Sequence, residues 1–400
     1  MPVSGMKGAF GWVGQAAQDD LPAAGEYNTG GMTWHKVISG DLGLADDQRP
    51  YENEVGGSYL PPGTYKASYW AQGRLAIRPR LAVNLSAANG LVPLLWAYAG
   101  SMTNVPSTTL ITAATLPAGV LGTATDVEDM TGIAGDALIF PGASGSVLFG
   151  ADRGDGDDRY LTLRKLTPTR AGYIGETFHN SKVAAINLST ASTGPLGAEL
   201  ALVGCGGDSD QFDQYALEAF VGEPSAANGW DYASAKSVDT IPMAGGGYVK
   251  QGTLSGSELR GVRDLQISLG GGFTRPQDQT IVGQYAPMGF NLLTRQIGIS
   301  FSYLWDNPDL YRQIKTGGVS GTTWSQAPYT SPFWTKYPDL AGANAIGFFA
   351  QTVDWMAQAV GLQGESQVVM RVSGIVRDAP GAKWGVWLAA ADYSGVVWPS

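Results

Sequence analysis

Apolar and polar residues alternate with a period of two along most of the chain, and that period predicts strands. In 64–85 the residues Tyr65, Ala67 and Tyr69, and then Leu75 and Ile77, mark a strand or hairpin. Residues 160–164, 183–189 and 198–203 read as three further strands, and 262–269 and 297–305 as two more. Residues 367–376 and 384–391 close the chain as a last pair. A first strand is expected around 32–42, entered from a Gly/Ala/Asp-rich extended arm. Asp46, Asp47, Glu52 and Glu54 read as a loop.

Helical spacing is rare. In 208–220 an Asp208 or Ser209 cap precedes Phe212, Tyr215, Ala216 and Ala219 on one face. A second helix candidate covers 346–360. In 307–317, Asn307-Pro308-Asp309 suits a helix start with Pro308 at the first helical position. A short helix-like segment ending in glycine occupies 90–100. Residues 101–150 read as short strands with long loops, and 151–159 as a charged, glycine-broken loop. The picture is mainly β, with each half a sandwich flanked by a short helix.

The order of these elements repeats. Gly57-Ser58-Tyr59-Leu60-Pro61-Pro62-Gly63 and Gly283-Gln284-Tyr285-Ala286-Pro287-Met288-Gly289 share the pattern G-x-Y-x-P-x-G. An Ile-Ser pair precedes each copy (Ile38-Ser39 and Ile267-Ser268). An Arg-led alternating stretch follows each, from Arg74 and from Arg295, and then a helix-like segment. A repeat this long predicts two copies of one domain, drawn at 1–207 (with an N-terminal arm of about 1–30) and 208–400.

Composition agrees. Gly, at 56 of 400 residues, is twice its ordinary share of roughly 7%, which suits many turns between short strands. Gly-Gly-Gly at 245–247 and 270–272 reads as bends or bulges. The net charge of −10 divides evenly: residues 1–200 carry 18 acids and 13 bases, residues 201–400 carry 17 and 12. An acidic balance argues against tight nucleic-acid binding and suits a surface past which DNA slides. Cys205 is the single cysteine, so no internal disulfide exists, and it reads as a small strand-end residue. The start lacks a signal-peptide core, and the longest apolar run, 91–99, falls short of the roughly 20 residues that span a bilayer. A soluble chain made in the cytoplasm, with no membrane partner, is the expectation.

Catalytic constellations are scarce, and no catalytic, cofactor-binding or metal-binding residue is assigned. The two histidines, His35 in a strand-like run and His179 in a polar turn, read as an ordinary strand residue and a surface residue. One Cys and two distant His give no zinc spacing. Nucleophile-elbow, phosphate-loop and dinucleotide-loop patterns are all missing. Asp152, Asp155, Asp157 and Asp158 form an acidic loop without EF-hand spacing, which reads as solvated. Arg153-Gly154-Asp155 is too short a match to carry meaning. Asp46/Asp47 and Glu52/Glu54 lie on one segment and read as solubilising charges, not the carboxylate pair of a glycosidase.

The run Gly11-Trp-Val-Gly-Gln-Ala-Ala-Gln-Asp-Asp-Leu-Pro22 resembles the N-terminal arm of tail tube proteins (major tail proteins) of long, non-contractile-tailed bacteriophages. So do Glu54-Val-Gly-Gly-Ser-Tyr-Leu-Pro-Pro-Gly-Thr-Tyr-Lys66, Gly73-Arg-Leu-Ala-Ile-Arg-Pro-Arg80 and Leu94-Leu95-Trp-Ala-Tyr-Ala-Gly100. The segments 160–166 and 183–204 look like that family's closing strands; the resemblance covers roughly 8–207 and reaches the second half through the repeat.

The resemblance implies two tandem β-sandwich domains whose inner strands close across subunits into a β-barrel. It implies a structural virion protein, not an enzyme, with no cofactor, assembled in the host cytoplasm. Stacked rings would form the conduit for DNA ejection, lined by Asp, Glu, Ser, Thr, Gln and Asn. Family members with one such domain form hexameric rings and those with two form trimers of pseudo-sixfold shape, so two copies favour a homotrimer. The implied partners are further copies of the chain, the tape measure, tail terminator and distal tail proteins, and double-stranded DNA passing without specific binding. A carbohydrate-binding surface module using exposed Trp and Tyr is the alternative; a glycosidase and another virion protein, such as a capsid decoration, stand behind it.

Overall fold

The computed structural model describes residues 8–15, 18–19, 32–35, 37–51, 63–79, 92–99, 102–105, 146–149, 159–206, 215–221, 230, 241–245, 247–251, 259–271, 273, 286–290, 293–305, 308–339, 345–358, 360, 368–377 and 384–389. The protein is mainly β, with two short helices among these residues. The first strands are β1 (Ala9–Gln15), β2 (Thr33–His35), β3 (Ser39–Gly40), β4 (Gly43–Pro50) and β5 (Thr64–Ile77). Helix α1 (Val92–Ala99), β6 (Met102–Val105), β7 (Ser146–Phe149), β8 (Tyr160–Pro168), β9 (Gly172–Ala191), β10 (Gly197–Gly204) and β11 (Tyr215–Val221) follow. Then come β12 (Tyr248–Gln251), β13 (Val262–Gly270), β14 (Gln296–Leu304), α2 (Asp309–Thr316), β15 (Tyr329–Pro338), β16 (Ala345–Ala357), β17 (Val369–Val376) and β18 (Trp384–Ala389).

All the described pairings are antiparallel. Eight strands form one continuous sheet in the order β4-β5-β10-β9-β13-β14-β17-β16. Strand β9 turns a corner: its first half lies between β8 and β11, its second between β10 and β13. Strand β16 does the same, pairing with β18 first and β17 afterwards while β15 runs along its other side.

The same six pairings occur twice. Among β1 to β11 they are β1–β8, β8–β9, β9–β10, β10–β5, β5–β4 and β9–β11. Among β12 to β18 they are β12–β15, β15–β16, β16–β17, β17–β14, β14–β13 and β16–β18, in the same chain order. Helix α1 follows β5 as α2 follows β14. Two further pairings, β13 with β9 and β18 with β7, tie the first group to the second.

The core runs through both groups. Leu75, Leu200, Ile186, Leu269 and Ile297 are successive cross-strand partners, and all are buried. Ile77, Ala198, Leu188, Ile267 and Ile299 form the next such row, ending on Gly374 and Trp355. Each Leu or Ile so buried contributes about 1.5–3 kcal/mol. Gly374 is required: a Cβ there would lie 2.6 Å from Val353 Cγ1 and 2.7 Å from the Trp355 ring. Helix α2 packs Leu310 and Ile314 inward and ends on Gly317, whose φ of 78° is left-handed.

Several expectations are corrected. Residues expected as a helix over 208–220 form strand β11 from Tyr215 on; 207–214 lie outside the described residues. The segment is exposed on both faces, so it shows no alternation, and Ala-Leu-Glu-Ala favours helix locally, but the open edge of β9 supplies its backbone partners. The helix expected at 346–360 is strand β16, whose first six residues are all buried between β15 and β18 and therefore carry no period-two signal. Asp46 and Asp47 stand in strand β4, not in a loop. Within the expected arm, 9–15 is a wholly buried strand, because β1 sits between β2 and β8. Pro308 precedes the first helical residue, at the N-cap position. Ile38-Ser39 and Ile267-Ser268 are not equivalent: Ser39 faces Ala76 near the end of β5, whereas Ser268 faces Gly298 near the start of β14.

Candidate functional site

The continuous sheet has a second face, and it is polar. Asn187 on β9 is flanked by Glu199 and Ser268, and beyond Ser268 the row continues through Gly298, Ile375 and Asp354. The next row reads Ser189, Gln266, Ser300, Ser373 and Met356, and a third Ala191, Asp264, Ser302 and Arg371. Alternation in β9, β13, β14 and β17 produces this: the buried Ile186, Leu188, Leu265, Ile267 and Ile299 are each followed by a Ser, Asn or Gln, and Leu269 and Ile297 by a glycine.

Hydrogen bonds knit the face. Gln266 Nε2 and Ser268 Oγ both donate to Asn187 Oδ1, at 3.1 and 3.3 Å. Ser302 donates to Asp264 Oδ1 through its hydroxyl at 2.7 Å and its backbone N–H at 3.2 Å. Arg74 pairs with Glu199 at 3.4 Å, and Arg377 with Asp354 at 3.8 Å. Glu199, Asp264 and Asp354 are thus matched by three arginines, Arg74, Arg377 and Arg371, in or beside these rows, and no lysine stands in them. Such a surface offers no cationic track for a phosphate backbone.

A second polar cluster sits at the corner of β9. Asn180 takes a positive φ of 49° there. Gln15 Nε2 donates to Asn180 Oδ1 at 3.0 Å, and the Asn180 N–H donates to Gln15 Oε1 at 2.8 Å. The Thr162 hydroxyl donates to Gln15 Oε1 at 3.2 Å and lies 3.0 Å from His179 Nδ1, which places the imidazole proton on Nδ1. His179, expected at the surface, is buried at this corner; burial first, and then the Arg164 charge, lowers its pKa to about 4. Gln18 donates to the Gly206 carbonyl at 2.9 Å and to the Met288 carbonyl, so the second G-x-Y-x-P-x-G copy docks on the first group of strands. Gly206 N–H donates to the Pro287 carbonyl at 2.6 Å.

Other expected residues fall as follows. His35 stands in β2 and stacks on Trp12 with ring centroids 4.0 Å apart. Cys205 is buried just past β10, its N–H donating to the Asn180 carbonyl at 3.1 Å. Asp46 and Asp47 pair with Lys66 and Arg49 at 3.0 and 2.7 Å. Asp46 is held below its usual pKa by the Gln48 and Lys66 hydrogen bonds. Glu52, Glu54, Asp152, Asp155, Asp157 and Asp158 lie outside the described residues. So does the first signature copy apart from Gly63. Of the twelve tryptophans from which the alternative, carbohydrate-binding reading would draw stacking platforms, seven are buried, namely Trp12, Trp34, Trp70, Trp96, Trp230, Trp334 and Trp355.

Among the described residues no group of three or more His, Cys, Asp and Glu could hold a metal, and no helix is long and apolar enough to cross a membrane. A cavity of about 430 Å³ opens where the end of β9 meets β12 and β13, lined by Tyr248, Arg260, Arg263 and Tyr337 among others. The polar face is not legible in the sequence, because only the register brings Asn187, Gln266 and Ser300 side by side. The chain matches no protein-family model and no curated protein sequence.

Proposed function

We propose that this protein is the structural subunit of a phage tail tube: a chain of two tandem sandwich domains that closes, with further copies, into rings whose lumen is the polar face of the sheet. The observation that carries the reading is the eight-strand sheet, which passes without a break from one set of six pairings into the other. The recurrence supports a duplicated domain, and the pairing of β11 with β9 favours a boundary after Val221. The junction inside the chain is a strand pairing, β13 on β9. Its counterpart, β4, has β5 on one side and no strand on the other among the described residues. An open edge of this kind is an aggregation hazard unless another chain covers it, and ring closure covers it.

The polar face supports the passage of DNA. Serine, asparagine and glutamine rows in which three arginines are matched by three carboxylates leave no net positive charge to hold a phosphate backbone, so the duplex moves without being held. The same arrangement disfavours a carbohydrate-binding module, since most of the tryptophans such a module would use for stacking are in the core. Tape measure, terminator and distal tail proteins are the partners this role requires, and the tail of the virion is its place.

Negative-stain electron microscopy of the purified chain at rising concentration tests the proposal. Hollow tubes of stacked rings are expected, with or without an added tape-measure scaffold. Discrete particles under both conditions, together with retention on immobilised polysaccharide, would replace it with the carbohydrate-binding reading.

A further inference from the structure

Two pairings join the domains within the chain, and each has a counterpart left open. Strand β13 pairs with β9, while the equivalent β4 pairs only with β5 among the described residues. Strand β18 is covered by β7, while the equivalent β11 pairs only with β9 among the described residues. Since β13 and β18 both face the first domain, β4 and β11 face one common direction on that domain's far side. On β11 the alternate residues Leu217, Ala219 and Val221 are exposed, Leu217 at 57% and Val221 at 98%. Three apolar side chains in a row on an edge strand are the reverse of the charged residues that normally protect such an edge.

The cover of β18 comes from the segment that follows α1. The segment that follows α2 is 317–328, far shorter than 100–159. It folds back on the helix, with the Ser325 N–H donating to the Lys315 carbonyl at 2.9 Å and the Gly321 N–H to the Gly318 carbonyl at 3.1 Å. Folded so, it holds Trp324 outward at 72% exposure and Val319 at 49%. It is too short to supply a hairpin like β6–β7, but it carries the apolar side chains to reach a neighbour.

We propose that the Leu217–Val221 edge is the docking surface for the Val319–Trp324 turn of a second copy of this chain. The contact rests on the ring reading above and adds to it: neighbouring copies meet head to tail, second domain on first, through side chains as well as through strand edges. Trp324 lies across Leu217 and Val221, burying the apolar surface that each copy alone exposes. The interface is heterologous, so one copy offers the turn and its neighbour the strand.

Cross-linking between two separate variants tests it. Ala219→Cys and Thr323→Cys, exposed neighbours that leave Leu217, Val221 and Trp324 in place, are made singly in a Cys205→Ala background, mixed in equal amounts and treated with a short bis-maleimide. A cross-linked dimer is expected in the mixture and is lost when Ile38→Cys replaces Ala219→Cys or when Val221→Asp is added to the strand partner. No dimer in the mixture, with both variants folded by circular dichroism, would overturn the contact. Hydrogen exchange on the unaltered chain gives a second arm. Amides of 215–221 and 317–328 gain protection as concentration rises if the contact exists, and unchanged protection overturns it. Tubes in the microscope without this cross-link or protection would leave the ring reading standing and remove the contact. A cross-link without tubes would keep the contact and count against the tube.

Discussion

Strands β9 and β16 occupy the same place in the two sets of pairings and turn the same corner, yet the corners are made of different chemistry. At β9 the turn is polar: Asn180 at positive φ is held by both ends of the Gln15 amide, with Thr162 and His179 behind. At β16 it is aromatic. Phe348 and Trp355 are buried on either side of the turn, the Phe348 N–H donates to Thr335 Oγ1 at 2.9 Å, and the Trp355 indole donates to Ser331 Oγ at 2.8 Å. Topology therefore fixes only that the strand must change partners. Either a hydrogen-bonded side-chain amide or packed rings can stabilise the change, provided every buried polar group is satisfied. The polar corner also does something the aromatic one does not: through Gln18 it ties the N-terminal strand to the second signature copy.

The largest expected effect breaks the aromatic corner. Trp355→Ala removes a ring packed between Phe301 and Phe333, with centroids 5.8 and 5.4 Å away, and is expected to cost about 3–5 kcal/mol in urea unfolding. A loss below about 1 kcal/mol would show that the corner does not depend on packing.

The polar corner is expected to respond to acid instead. The folded-state pKa of His179, about 4, lies below its ordinary value of 6.5, so the unfolded chain binds the proton more readily. The resulting stability is complete above pH 6.5 and is lost as the pH falls toward 4, on the order of 3 kcal/mol in all. Arg164, Lys182, Tyr160 and Asp19 surround or adjoin the site, so the difference between the unaltered chain and His179→Gln isolates the histidine. Parallel stability–pH curves for the two would contradict this account of the corner.

The smallest effect sharpens the contrast with the open face. Arg74→Ala breaks an exposed ion pair with Glu199 and is expected to change stability by less than about 1 kcal/mol. A larger loss would mean that the polar face holds the fold together as well as presenting side chains.

Much of this architecture was legible in the sequence, and what was not has local causes. Residues 262–269, 297–305 and 367–376 alternate cleanly because each strand has one face in the core and one in the open, and all three are strands. Strand β16 hid because its first half is buried on both faces, and β11 because it is buried on neither. Strand β4 hid behind Asp46, Asp47 and Arg49, the kind of charges an edge strand tolerates. Of the polar face, the individual serines and glutamines were visible, but their assembly into rows depends on pairing between residues as distant as Asn187 and Ser268. His179 was misplaced because Glu-Thr-Phe-His-Asn-Ser is a polar turn in sequence and a buried corner only once Gln15 and Thr162 arrive from elsewhere in the chain.

The central claim is that two equivalent domains in one chain fill two equivalent places in a ring, and the symmetry of the ring tests it most directly. Class averages of end-on rings from the purified chain should show six similar lobes with threefold symmetry, one chain for each pair of lobes. Rings with one chain per lobe, or open filaments that never close, would contradict it.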